Sequence, residues 1–287
     1  VAERAKSVRI EEEAIEEYAA RLSGPGSDTE PAPFADDPET AAAFAICMNA
    51  INFGSGWWPT IRKLPGHSGY GTMAAGVAGR FASEGRWGVE ELQAMDAETI
   101  AGVVGQDQDH PLMRQFATAL RDVGNHLSSD YVDRFLGPAE AANSIPALVG
   151  TFAPWDSFAD VSHYDGREVP FYKRAQLAAA DLHRAGVADL PGVNRLPAFA
   201  DNLVPHVLRV DGILNLDPDL TARIEAEKLL QHGSPEEVEL RACAVQAVEL
   251  LAAGPLTPAE IDSALWNRGR AQRYKSLPRP RSRTTAY

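Results

Sequence analysis

The sequence predicts a mostly α-helical protein with few short strands, folded as one large domain over residues 1–287 or as two lobes meeting near residue 165. Three observations predict this class. Proline recurs directly after side chains that cap helices, apolar residues repeat at steps of three and four, and alternating strand patterns are scarce. With 287 residues and 45% apolar side chains, the chain is long enough to bury a sizeable core.

In chain order, Ile10, Ile15, Tyr18 and Leu22 predict a first amphipathic helix. The stretch Ser23 to Asp36, rich in Gly, Pro, Ser and Asp, predicts a loop. Asp37-Pro38 opens an alanine-rich helix. Helical spacing returns near 89–104, and Leu112, Phe116, Leu120, Val123 and Leu127 lie on one face of a longer helix. Two segments read as strands, the region near Leu148 to Phe152 and Arg167 to Tyr172. Further helices are expected near 171–186, 203–214 and 218–232, the last opening on Asp217-Pro218. Ser234-Pro235 and Thr257-Pro258 each continue to a glutamate three residues after the cap, Glu237 and Glu260, which predicts two capping boxes. No repeat of fixed period stands out.

Composition narrows the function classes. No apolar run approaches the roughly 20 residues that span a bilayer, and the charged start Val1 to Glu13 lacks a secretory core, so a cytoplasmic protein off the membrane is expected. Cys47 and Cys243 both sit among apolar residues, as buried free thiols do. The seven histidines show no metal-binding spacing, and neither a metal nor a cofactor is expected. A net charge of −13 argues against a stable complex with long nucleic acid. The charge is uneven: Arg268 to Tyr287 holds seven Lys/Arg and no acid, so the other 267 residues carry −13 − 7 = −20. That tail reads either as a basic strap over an acidic body or as a phosphate site using Arg281 and Arg283.

Several segments could carry chemistry. Asp201 lies between Phe199-Ala200 and Leu203-Val204, just before a helix start at Pro205. Locally it reads as a helix cap, and the positive end of a helix favours a charged carboxylate there. A cap can also be catalytic. Asp262 and Trp266 share a helix face with Asn267 flanking, which gives either a carboxylate, an indole and a carboxamide for a planar base, or a plain amphipathic helix with Asp262 exposed. Ile51 to Pro59 places three aromatics beside two glycines, as a ligand loop or a core plug. Phe171 to Gln176 puts Lys173 and Arg174 at a helix start, where the dipole disfavours cations, so an anionic partner is required from a ligand or another segment. Glu237 and Arg241 read as an i,i+4 pair within their own helix and are left out of the candidate site. Leu190-Pro191-Gly192-Val193 is similar to the turn of helix-hairpin-helix modules.

Taken together, Ile51-Asn52-Phe53, Ser68-Gly69-Tyr70, Phe171 to Gln176, Phe199-Ala200-Asp201, Glu237 to Arg241, Asp262 with Leu265-Trp266, and Arg281-Ser282-Arg283 to Tyr287 resemble the queuosine salvage protein family, the queuosine 5′-phosphate N-glycosylase/hydrolases. The pieces span nearly the whole chain in order. The resemblance implies an all-α fold similar to helix-hairpin-helix DNA glycosylases. It also implies hydrolysis of queuosine 5′-monophosphate to release queuine, a 7-deazaguanine base with an aminomethyl-cyclopentenediol arm, for salvage into transfer RNA.

The resemblance makes Asp201 the catalytic carboxylate and assigns Phe199, Asp262 and Trp266 to the base. Asn267 stands where animal members carry an aspartate, so one contact to the base becomes a neutral hydrogen bond. Lys173, Arg281 and Arg283 are candidates for the 5′-phosphate. Breaking an N-glycosidic bond builds positive charge on the sugar, which a carboxylate stabilises while orienting water. The partners expected are therefore the small nucleotide and its free base. Two other readings remain, a DNA or RNA base-excision enzyme using Lys173 as a Schiff-base nucleophile, and a queuine-binding protein without turnover.

Overall fold

The computed structural model describes residues 1–22 and 32–287, so most of the loop expected over Ser23 to Asp36 lies outside the described residues. The protein is mostly helical. Its first helices are α1 (Ile15–Arg21), α2 (Pro38–Ala50), α3 (Gly69–Glu84), α4 (Val89–Gln93), α5 (Ala97–Val104), α6 (Pro111–Tyr131), α7 (Gly137–Ala141) and α8 (Ile145–Phe152). Then follow α9 (Lys173–Arg184), α10 (Leu203–Val210), α11 (Pro218–Glu225), α12 (Pro235–Leu251), α13 (Pro258–Arg268) and α14 (Gln272–Lys275). Four short strands make two antiparallel pairs, β1 (Val8–Ile10) with β4 (Leu214–Leu216), and β2 (Val161–Tyr164) with β3 (Arg167–Pro170). The β2–β3 hairpin turns on Asp165 and Gly166, both at positive φ, the Asp-Gly pairing that two-residue hairpins favour.

Local capping fixes where the helices start. Asp37, Asp217, Ser234 and Thr257 each accept the backbone N–H three residues on, at 3.3, 2.7, 3.4 and 3.3 Å. Only the last completes a capping box, because Glu260 returns to the Thr257 N–H at 2.8 Å. The second expected box stays open. Glu237 takes the Gly233 N–H instead, at 2.9 Å, with His232 and Arg241 beside its carboxylate.

Other expectations are corrected. Ile10 belongs to β1, paired with Leu214, so the first helix begins only at Ile15. The helix expected over 89–104 is two, because Asp96 accepts the Thr99 N–H at 2.8 Å and starts α5 afresh. Leu148 to Phe152 is no strand but the end of α8, which Ser144 caps and Pro146 opens. Strand β3 stops at Pro170, and Tyr172 in the left-handed region turns the chain into α9. Helices α10 and α11 end earlier than expected, at Val210 and Glu225, where β4 and a left-handed Glu227 follow. Helix α3, unpredicted, is dilute in large apolar residues, with glycines at 69, 71, 76 and 79.

Two large apolar cores result among the described residues, with a small third cluster of Tyr164, Phe171, Ala200 and Val238. One surrounds α6, whose Leu112, Phe116, Leu120, Val123 and Leu127 are wholly buried, and it draws on α2 to α9. The other surrounds α12 and collects α1, α10, α11, α13, α14 and the β1–β4 pair. After α9 the chain returns from the first core to the second as an extended stretch following the short turn Val193–Arg195. There Leu196 and Phe199 enter the first core, while Ala198 enters the second. Asp201 therefore sits at the seam.

The tail also runs along that seam. Arg209 and Asn202 donate to the carbonyls of Pro278 and Pro280 at 2.8 and 2.7 Å, the Leu230 N–H donates to Arg281 O at 2.8 Å, and the Gly54 N–H donates to Tyr287 O at 3.2 Å. No helix among the described residues is long and apolar enough to cross a membrane.

Two glycines of α3 separate packing from propensity. A Cβ on Gly76 would stand 2.6 Å from the Val103 carbonyl oxygen, whereas one on Gly79 would meet nothing within 4 Å. Alanine gains about 0.5–1 kcal/mol over glycine inside a helix, and overpacking costs about 1–3 kcal/mol. Gly79→Ala is expected to raise the urea midpoint and Gly76→Ala to lower it. Equal shifts in the two variants would contradict the close α3–α5 approach.

Candidate active site

Asp201 is half-buried at the start of α10, where Oδ1 accepts the N–H groups of Leu203 at 2.8 Å and Val204 at 3.0 Å. It is the cap that its local pattern suggests. The second oxygen has no hydrogen-bond partner among the described residues.

Asp262 projects from α13 toward the same place. It is 5% exposed, against the exposure an ordinary amphipathic helix would give it. Its Oδ1 accepts the Phe199 N–H at 2.9 Å, which ties α13 to the crossing segment two residues before Asp201. Burial, then repulsion from Asp201, hold the Asp262 carboxyl well above the usual carboxylate range, against the opposing pull of the Phe199 N–H and Lys173.

Lys173 completes the cluster from the first turn of α9. Its Nζ donates to Asn52 O at 3.2 Å, and the side chain is buried. Desolvation lowers its pKa to about 8, opposed by attraction to Asp201, Asp160 and Asp262. The carboxylates that the Lys173 ammonium feels come from Asp201, Asp160 and Asp262, and Asp160 also binds the backbone at the start of α9. Asp160 Oδ2 accepts the Lys173 N–H at 3.1 Å, and Asp160 O accepts those of Phe171 and Tyr172.

The neighbouring Arg174 points elsewhere. It donates to Ala50 O and Ala286 O at 2.5 and 3.3 Å, with its guanidinium 5.0 Å from the Phe53 ring centroid. Phe53 packs in turn on Phe116, which makes it a core plug, while Trp57 and Trp58 remain half-buried.

The structure thus brings Phe199, Asp201, Asp262 and Lys173 together. Trp266 is half-buried against the second core, with the Arg270 guanidinium 5.7 Å from its ring centroid. Asn267 is exposed. Five residues after Asp262, it is rotated by about 140° around the helix axis.

Cations from distant parts of the chain gather near Asp201. Burial, then Arg281, lower the Arg279 pKa, and Asp201 opposes them. Lys63 is lowered by burial and by Arg281 and Arg279, which places it in the same group. Arg281 is 3.4 Å from Glu227, and Arg283 stands over Trp57 beside His110. Lys63 and Arg279 were not legible as a pair, since 216 positions separate them and neither falls in a motif.

Arg241 was also missed. Its helical partner Glu237 lies 3.9 Å away, whereas Asp160 Oδ2 is 2.6 Å and Ala200 O 3.0 Å from it. The available signal was an arginine flanked by Val238, Leu240, Ala242 and Cys243, too apolar a setting for a solvated side chain.

The profile of the family described as queuosine salvage protein matches residues 32–287. A protein of Sphaerobacter thermophilus named queuosine 5′-phosphate N-glycosylase/hydrolase is 31% identical, over all of this chain and 95% of its own. Proteins of the same name from Dictyostelium discoideum and Mus musculus are each 28% identical, over 87% and 62% of this chain and 79% and 59% of their own.

The Asp262 carboxyl gives a pH-dependent signature. Because its pKa is raised on folding, the folded chain binds more protons than the unfolded one above the ordinary value of 3.8, and this group's contribution to stability falls as pH rises through that window. Asp262→Asn keeps an acceptor for the Phe199 N–H and removes the ionisation. Thermal melting from pH 4 to pH 8 is expected to show the variant gaining on the unsubstituted protein as pH rises; a difference that stays constant would refute the assignment.

Proposed function

The chain belongs to the queuosine salvage protein family, and we propose that it hydrolyses the N-glycosidic bond of queuosine 5′-phosphate, releasing queuine and ribose 5-phosphate. The observation that carries the reading is the convergence of Asp201, Asp262 and Lys173 at the seam between the two cores. The C1′–N bond breaks with its electron pair leaving on the base, which takes up a proton, while water adds to C1′.

In this reading Asp201 faces the sugar with its free oxygen, stabilises the cationic ribosyl group as the bond lengthens, and orients the water. Its two backbone N–H bonds hold the carboxylate in place before substrate arrives, so little reorganisation is needed as charge develops. Asp262, with its carboxyl raised toward the neutral form, recognises the edge of the base as a hydrogen-bonding group. Phe199 and Trp266 supply apolar surface to the ring. Asn267 faces solvent and takes no part.

Lys173 balances the negative charge of the carboxylates and lies close enough to both to contact the ribose. For the 5′-phosphate the reading favours Arg279 and Lys63, with Arg281 beside them. These cations repel one another and are partly desolvated, a state that an added dianion relieves.

A Schiff-base role for Lys173 is the second reading, favoured by an amine whose pKa is lowered to about 8. Borohydride treatment during turnover separates the two. Covalent trapping of the ribosyl product on Lys173 would replace the hydrolytic mechanism.

Asp201→Asn is expected to lower kcat for queuine release by about a hundredfold or more. A rate near that of the unsubstituted enzyme would remove Asp201 from the chemistry. Arg279→Ala is expected to lower kcat/KM for the 5′-phosphate by about tenfold to a hundredfold, the worth of one charge-assisted hydrogen bond, and to leave the unphosphorylated nucleoside unaffected. Equal losses on both substrates would place the phosphate elsewhere.

A further inference from the structure

We propose that Arg241 is the positioning residue that sets Asp201 against Lys173, a role that rests on the function proposed above for those two residues. Its guanidinium binds a backbone carbonyl and a side-chain carboxylate from two separate stretches of the chain at once. Nε donates to the carbonyl of Ala200, the residue before Asp201, at 3.0 Å. A terminal nitrogen donates to Asp160 Oδ2 at 2.6 Å, and that same oxygen accepts the Lys173 N–H at 3.1 Å. The Asp160 carbonyl meanwhile accepts the N–H groups of Phe171 and Tyr172 at 2.9 and 3.2 Å, which fixes the turn that opens α9. One planar group thus spans from the peptide before the carboxylate to the turn that launches the lysine.

The group has little freedom to move. Its flat faces lie against the Phe171 ring, 3.9 Å from the centroid, and the Tyr287 ring, 4.4 Å from the centroid. Arg241 is 1% exposed, so it lies behind the site and does not touch substrate. Lysine cannot reproduce this bridge, because an ammonium is a compact point charge without the two-armed plane. Rates of positioned reactions respond steeply to small displacements, about a hundredfold for 1 Å. The expected consequence of losing the bridge is therefore a loss of turnover with substrate binding retained.

Arg241→Lys keeps a cation against Asp160 and removes the second arm. Purified variant and parent are assayed for queuine release from queuosine 5′-phosphate, with kcat expressed per site that binds free queuine, and Asp201→Asn is assayed beside them. The expected result is a kcat lower by about tenfold to a hundredfold with KM within about threefold of the parent. An unchanged kcat per binding site, or a raised KM with kcat retained, overturns the positioning role. Full activity in Asp201→Asn instead overturns the reading of the site on which the role rests, and the two failures are distinct.

If Arg241→Lys gives no queuine-binding protein, Asp160→Asn decides. It keeps the shape and an acceptor oxygen but weakens the link to Arg241, and kcat is expected to fall by about threefold to tenfold at unchanged KM. Parental kcat in Asp160→Asn overturns the proposal.

Discussion

The ion pair between Arg241 and Asp160 is the interaction on which the rest of this structure turns, because both partners are almost wholly buried where the two cores meet. Withdrawing two charges from water is expensive, and their attraction repays it only when hydrogen bonds and geometry are good. Here the pair is 2.6 Å apart, Nε reaches the Ala200 carbonyl and the Phe171 and Tyr287 rings lie against the guanidinium, while Asp160 Oδ1 and Arg241 Nη1 have no hydrogen-bond partner among the described residues. Such a pair is weak evidence for stability, since apolar residues could fill the same volume. What apolar residues could not do is fix the direction of a carbonyl and the start of a helix together. The arrangement is therefore better understood as geometry imposed on the seam than as adhesion between the cores.

The two carboxylates at the seam differ through their surroundings. Asp262 is deep in α13, has one backbone N–H, and faces another acid, so burial and repulsion both act against its charge. Asp201 is half-open and accepts two N–H groups at the positive end of α10. Lys173, whose ammonium feels Asp201, Asp160 and Asp262, offsets part of their negative charge. In the proposed reaction the same residue type serves two purposes because one environment disfavours ionisation and the other supplies donors to an oxygen.

Legibility in the sequence followed the range of the interaction. Caps at Asp37, Asp217, Ser234 and Thr257 were readable because donor and acceptor are three residues apart. The β1–β4 pair was not, since Val8 meets Leu216 and neither strand alternates long enough to announce itself. Leu148 to Phe152 misled because a short apolar run has no period of its own, and the information that it is helix lies upstream at Ser144 and Pro146. In the site, Asp201 was visible locally only as a cap, and the resemblance across several motifs raised it further. Arg241 escaped for the opposite reason: a local rule supplied it with a partner, Glu237, and the real partner stands 81 positions away.

The basic tail is seen as a strap, and in the proposed reading it is also the source of cations for the phosphate. Attraction to a body of net −20 can hold seven cations nearby, but it cannot choose a register. Register comes from directed bonds: Asn202 to the Pro280 carbonyl, the Leu230 N–H to that of Arg281, Ser282 Oγ to that of Leu230, and Arg174 to that of Ala286. Apart from the Ser282 hydroxyl, these bonds use the backbone of the strap, and none of them involves the guanidinium of Arg279. Asn202 is also the residue after Asp201, so the contact that seats the strap couples its position to the carboxylate. A segment anchored largely through its main chain can present its side chains to a third party, which for Arg279, beside Asp201, is the 5′-phosphate in the function proposed above.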